Sequence, residues 1–176
     1  RRATGKWPAY YEDSLPAAFD VGRGSPTGIE FGYRSHFPDQ WINALFIADW
    51  SYGRIVATRL KPDGATYTGE GETFILGRPL NVTDLTFGSD GAMYFITGGR
   101  RTQSALYRVT WTGESNQSQP TKTVAPLREL RKELEKWHTQ KGIEGVSLAK
   151  ANLNHSDRWI RFAARVALEN QHPNLW

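Results

Sequence analysis

Apolar positions along this chain keep two different rhythms. Between Trp41 and Trp111 they come in short runs, rich in β-branched and aromatic residues, separated by polar turns. Two of those turns read Pro62-Asp63-Gly64 and Ser89-Asp90-Gly91. Asp-Gly favours a tight hairpin, because glycine accepts the left-handed backbone and aspartate accepts backbone N–H groups. The pattern predicts strands over 25–34, 43–49, 54–60, 73–76, 82–87, 92–97 and 105–111. Tyr52-Gly53 turns the chain between the second and third of these. Phe37-Pro38 holds an extended link before them.

From Pro126 onward the period changes. Leu127, Leu130, Leu134 and Trp137 recur at helical spacing, and Pro126 suits a first helical turn. A second helix is expected over 144–153. A third is expected over 156–170, with Ser156 as N-cap, Asp157 in the first turn and His172-Pro173 as the stop. Trp159, Ala163 and Val166 fall on one face of it, and Ile160, Ala164 and Leu168 on an adjacent one. So wide an apolar stripe needs more than one neighbour, as in stacked helical repeats. The stretch 112–125 is polar, with Ser, Thr, Asn, Gln and Pro, and reads as a linker. Residues 1–24 carry Pro and Gly punctuation and read as irregular.

A short strand, a hairpin and an outer strand make one four-stranded β-propeller blade. The order begins again about 45 residues later, within the usual blade period. The fold class expected is mainly β with an α C-terminal part: two propeller blades at 25–111 and a helical segment at 126–176. Two blades cannot close a ring, so further blades are expected elsewhere.

The chain has 176 residues and a formal net charge of +4. Its densest basic cluster, 128–136, is interleaved with Glu129, Glu133 and Glu135, which suits a solvated helix face with i,i+4 pairs rather than a nucleic-acid surface. There is no cysteine, so no disulfide, Cys-ligated zinc or CxxCH haem attachment forms in it. No apolar run is long enough to span a bilayer. The chain starts Arg1-Arg2, with no Met and no apolar stretch following, and reads as a fragment or a processed chain.

From Ser25 to Trp111 the sequence resembles the glucose/sorbosone dehydrogenase superfamily of six-bladed β-propellers. The matching pieces are SPTGIEF, LFIADWSYGRIVATRL and VTDLTFGSDGAMYFIT followed by ALYRV. The segment HSDRWIRFAARVALENQHPNLW is similar to a HEAT-type repeat. Together they resemble the "membrane-bound dehydrogenase" proteins of planctomycetes and verrucomicrobia, in which a propeller precedes HEAT-like helices and a cytochrome c domain. The resemblance implies an extracytoplasmic, periplasmic setting. It implies sugar or alcohol oxidation, pyrroloquinoline quinone (PQQ) with Ca²⁺ as cofactor, and other blades or a cytochrome c domain as partners. It implies a central pocket walled by Arg34, Trp50, Tyr52, Asn81, Thr83 and Arg100. The family's quinone-binding lysine falls here near Ser51 or Tyr52. Its R-x-R-D-V motif reads Asn81-Val82-Thr83-Asp84-Leu85, with the aspartate kept and both arginines replaced. That substitution speaks for a second reading, a propeller and HEAT module for binding or assembly that has lost quinone binding.

The remaining polar candidates have plainer roles. Asp49, Asp63, Asp84 and Asp90 are expected to accept backbone N–H groups at strand ends and turns. His36 lies in a loop between Arg34 and Asp39, with no nucleophile at a recognisable spacing. His138, His155 and His172 form no metal-ligating motif. Gly98-Gly99-Arg100-Arg101 offers close backbone approach and two cations to an anion, but lacks the G-K-[ST] ending of a P-loop.

Overall fold

The computed structural model describes residues 15–114 and 125–176. Within them the protein is mainly β, with two antiparallel sheets followed by helices. It divides into two compact units. One holds 19–61 and 69–114 and carries the sheets; the other holds 15–18, 62–68 and 125–176 and carries the helices.

The first sheet contains β1 (Pro26–Phe31), β2 (Leu45–Asp49), β3 (Arg54–Asp63) and β4 (Thr66–Leu76), in that order. A short helix, α1 (Asp39–Ile42), precedes β2 where a loop was expected. The second sheet contains β5 (Val82–Phe87), β6 (Met93–Gly99) and β7 (Thr102–Val109). Strand side chains alternate between faces, so register decides what meets what. Phe46 lies opposite Ala57 and Ala48 opposite Ile55. Leu85 lies opposite Phe95 and Phe87 opposite Met93. These residues turn to a common core, together with Phe37, Leu80 and Val82. Four phenylalanines knit it: the Phe46 ring lies 5.0 Å from Phe74 and 5.4 Å from Phe87, and Phe37 touches all three. Most of these pairs meet edge to face, the arrangement favoured by the ring quadrupole.

Two further contacts lock the sheets. The Thr27 hydroxyl donates to the Val82 carbonyl at 2.7 Å, joining β1 to β5. Gly28 sits where a Cβ would lie 2.5 Å from Asp84 Oδ1 and 3.3 Å from the Asp84 α-carbon, so glycine lets the two strands approach closely. At the β5–β6 turn, Gly91 has φ +70° and carries the His36 ring against its α-carbon.

The fourth strand starts at Thr66, earlier than the pattern predicted, and the β3–β4 hairpin is correspondingly long. Its early part alternates poorly. Pairs of opposite charge hold it instead: Arg59 with Glu72 at 2.7 Å and Lys61 with Glu70 at 2.9 Å. The hairpin tip, 62–68, belongs to the helical unit.

In that unit, α2 (Pro126–Lys136) and α4 (Arg158–Glu169) pack through Leu134, Ile160, Ala163 and Ala164 with Ala65, and α3 (Ile143–Asn152) packs Val146 and Ala149 against Ala167 and Leu168 of α4. The N-cap of α4 is Asp157, one residue later than expected. Its Oδ1 accepts from the N–H groups of Trp159 and Ile160, while Oδ2 accepts from Ala65 N at 2.8 Å. Ser156 could cap only by giving up that second bond. Of the expected stripe, Ile160, Ala163, Ala164 and Leu168 are buried while Trp159 and Val166 are half-buried; Ala167, not expected there, is buried as well. The expected linker at 112–125 lies mostly outside the described residues, as does most of the irregular segment 1–24. No helix among the described residues is long and apolar enough to cross a membrane.

Candidate functional site

A cleft of the sheet unit opens beside the β2–β3 turn. Its foundation is Asp49, 4% exposed. Asp49 Oδ1 accepts from Ser25 N at 2.9 Å and Ser51 N at 3.1 Å, and Oδ2 accepts from Arg54 Nε at 3.0 Å. Arg54 also donates to the Val21 carbonyl at 3.0 Å. Burial pushes the Asp49 carboxyl upward, but donation from Ser25, the Arg54 guanidinium and the Tyr52 backbone outweighs it. The net result lies below the usual carboxylate range, so Asp49 is charged and fixed at neutral pH.

Trp50 follows directly and is held at three points. Its N–H donates to Ser25 O at 3.0 Å and its carbonyl accepts from Asn81 Nδ2 at 2.9 Å. The indole N–H donates to Gly98 O at 2.8 Å. The Arg100 guanidinium stacks over the ring, 5.2 Å from its centroid. Trp50 thus ties the end of β2 to one end of the second sheet, where Gly98 N also donates to Asn81 O at 3.0 Å.

Against this wall lies an open cleft of about 620 Å³, lined by Trp50, Thr83, Ile96, Gly98, Ser104 and Leu106 among others. Ile96 and Leu106 are opposite one another across β6 and β7 and are 46% and 69% exposed. Most of the lining is apolar. Thr83 Oγ1 is engaged with the Ile96 carbonyl at 3.2 Å. Among the described residues no carboxylate, imidazole, amine or phenol lines this cleft. Asn81 opens on a smaller neighbouring pocket of about 390 Å³, with Thr102, Gln103 and Tyr107.

Of the six residues singled out from the sequence, Trp50, Asn81, Thr83 and Arg100 gather here. Arg34 and Tyr52 do not. Arg34 is paired with Glu30 at 2.5 Å and reaches Thr86 at 3.4 Å. Tyr52 is 47% exposed and stacks under Arg54, 5.4 Å away. Asp84 is exposed and accepts from Leu85 N at 2.8 Å. Asp90 accepts from Ala92 N, Tyr94 OH and Arg108, a surface cluster in which the Arg108 guanidinium, then Tyr94, draws its carboxyl down to about 2. His36 is exposed; its N–H donates to Gly91 O at 2.9 Å. His138 binds the Ala163 carbonyl, and His155 accepts from Asp157 N. Among the described residues no three His, Cys, Asp or Glu side chains are grouped to hold a metal ion.

Sequence reasoning missed Ile96 and Leu106 as cleft walls. Their alternation with Phe95 and Tyr107 marks them as facing away from the core, which is the signal that identifies them. It also missed how the glycine loop is built. Gly98 and Gly99 belong to β6, and Arg100 and Arg101 alone make the turn, with φ of +46° and +68°. The cleft offers apolar walls, an indole and hydroxyls; among the described residues lining it no titratable side chain is available for acid–base work. No family model, curated protein or solved structure matches the chain.

Proposed function

We propose that the chain is a segment of an extracytoplasmic, glucose/sorbosone dehydrogenase-like propeller protein, and that this segment binds rather than reacts. On this reading the two sheets are consecutive propeller blades and the helices begin a HEAT-like array. Four features support the blade assignment: the strand order, the antiparallel pairing, the repeated Asp-Gly turns and the shared aromatic core.

The observation that carries the binding role is the chemistry at the positions where the resembled family places quinone-holding cations. Ser51 or Tyr52, Asn81 and Thr83 stand there, none of them a cation. Ser51 Oγ donates to Ser25 Oγ at 2.7 Å, Asn81 to the Trp50 carbonyl and Thr83 to the Ile96 carbonyl. They are committed to the fold rather than free to pair with a cofactor's carboxylates. The adjoining cleft supplies apolar walls, one aromatic ring and a few hydroxyls, which is the composition of a binding site. Sugar or alcohol oxidation with transfer of electrons to a cytochrome c domain then belongs to other parts of the protein.

The test is a dye-coupled assay of the full chain supplied with PQQ and Ca²⁺, over a panel of sugars and alcohols. The proposal expects no dye reduction above the protein-free control. Saturable, chain-dependent reduction that falls in Asn81→Asp and Thr83→Val variants would assign the redox site to this segment and overturn it.

A further inference from the structure

We propose that the outer edge of β7 takes up an extended segment of a partner protein as an added antiparallel strand, apolar at alternate positions and acidic at its C-terminal end. This goes beyond the binding role above, since it rests on a sheet edge and not on quinone chemistry. The first observation is an unequal pair of sheets. The first has four strands; the second has three and ends at β7. Among the described residues no strand pairs with the outer side of β7. The backbone N–H and C=O groups on that side form a template for one more strand.

The second observation is how this edge differs from the outer edge of the first sheet. Edge strands are ordinarily blunted by charge, proline or irregular backbone, which discourages pairing with other chains. β4 follows that rule: Gly69, Glu70, Gly71 and Glu72 stand in succession, and both glutamates are paired with β3. β7 does not follow it. From Thr102 to Tyr107 it has no charge, no proline and no glycine. Its register with β6 is regular from Ala105 to Val109. Leu106 and Tyr107 are 69% and 40% exposed along it, so the strand also offers apolar surface.

The third observation is what flanks the edge. Side chains of β7 alternate between two faces, and each face borders a cavity. Ser104 and Leu106 border the cleft of about 620 Å³; Gln103 and Tyr107 border the pocket of about 390 Å³. A strand laid along β7 sends its own alternate side chains towards these two cavities, the way strand addition gains specificity beyond its backbone bonds. The cleft beside Ile96 and Leu106 suits apolar side chains, and the pocket beside Gln103 suits hydroxyls or amides. Charge then sets the direction. At the end of β7, Arg108 is held by Asp90 at 2.8 Å. At its start, Arg100 and Arg101 are exposed and make no ion pair among the described residues. β5, β6 and β7 alternate in direction, and a further antiparallel strand continues that pattern. Such a strand brings its C-terminal residues past Arg100 and Arg101, where Asp or Glu is complementary.

The experiment titrates the full chain into a fluorescein-labelled octapeptide, Thr-Val-Thr-Val-Thr-Val-Asp-Glu, matching the eight residues of β7, and follows anisotropy. The proposal expects saturable binding, on the order of fivefold tighter than for the same peptide ending in Asn-Gln at low salt. That preference should vanish in Arg100→Gln with Arg101→Gln. Two further peptides, N-methylated at one or the other set of alternate residues, separate backbone pairing from surface adhesion, because only one set of N–H groups faces β7. One of them should bind about tenfold or more weakly, and the other like the parent. Leu106→Glu, at an exposed position, should weaken binding while an unaltered ¹⁵N spectrum elsewhere verifies the fold. No binding, or equal affinity for the two methylated peptides, would overturn strand addition. Equal affinity for the acidic and amide peptides would overturn the direction assigned from charge. A dimer of the free chain abolished by Leu106→Glu would show that a second copy fills the edge and would overturn the partner segment. None of these readouts involves dye reduction, so the redox test above stands or fails separately.

Discussion

Trp50→Phe is the most informative single perturbation of the sheet unit. It keeps an aromatic ring but removes the indole N–H that donates to Gly98 O at 2.8 Å. Gly98 is buried, so its carbonyl loses a partner that water replaces poorly. Losing a hydrogen bond of this kind costs about 1 kcal/mol, rising towards about 3 when the orphaned group stays dry. The smaller ring also weakens the stacking with Arg100, 5.2 Å from the indole centroid, worth about 0.5–1 kcal/mol at an exposed site. The sum is a loss of about 2 kcal/mol. Urea unfolding followed by near-ultraviolet circular dichroism measures it through the shift in midpoint. A double-mutant cycle with Arg100→Ala separates the terms: the coupling energy should equal the part of the stacking that a phenyl ring does not keep, below about 0.5–1 kcal/mol. A Trp50→Phe cost under about 0.5 kcal/mol would refute Trp50 as the clamp joining β2 to β6.

Other outcomes follow from the same contacts. Asp157→Ala should cost about 2 kcal/mol, because it removes both the α4 cap and the bond to Ala65 N; Asp157→Ser should recover about half through the cap alone, as read by thermal melts. Phe46→Ala, at the centre of the aromatic core, should cost about 3–5 kcal/mol in chemical denaturation. Asp90 has its carboxyl lowered from 3.8 to about 2 by Arg108 and Tyr94, so its contribution is present above the ordinary value and is lost as pH falls through the window down to about 2. Asp90→Asn should flatten that acid limb of the stability profile and leave neutral behaviour less changed than the acid side.

Much of the fold is legible because apolar periodicity and turn chemistry agree. Leu45-Phe46-Ile47-Ala48 is buried or half-buried as a contiguous run, and the Asp-Gly pairs place the hairpin turns. The early part of β4 is not legible, since Thr66 to Glu72 lacks an apolar face and is recruited by its neighbour strand and by Arg59 and Lys61. α1 is a single turn, too short to show a period. Asp157 displaces Ser156 as cap because only tertiary structure brings the Ala65 N–H within reach. At the site, Trp50, Asn81, Thr83 and Arg100 converge because β2 and β5 are neighbours and the β6–β7 turn closes over the indole. Arg34 and Tyr52 diverge because nearer partners, Glu30 and Arg54, capture them. Spacing along the chain carries no information about that competition.

The most direct measurement of the central claim is an equilibrium titration of the full, folded chain with PQQ and Ca²⁺, followed by Trp fluorescence and by quinone absorbance. The account predicts no saturable binding, since neutral, hydrogen-bonded Ser51, Asn81 and Thr83 stand where cations would be needed. Stoichiometric, saturable quinone binding abolished by Asn81→Asp or Thr83→Val would contradict it and place redox chemistry in this segment.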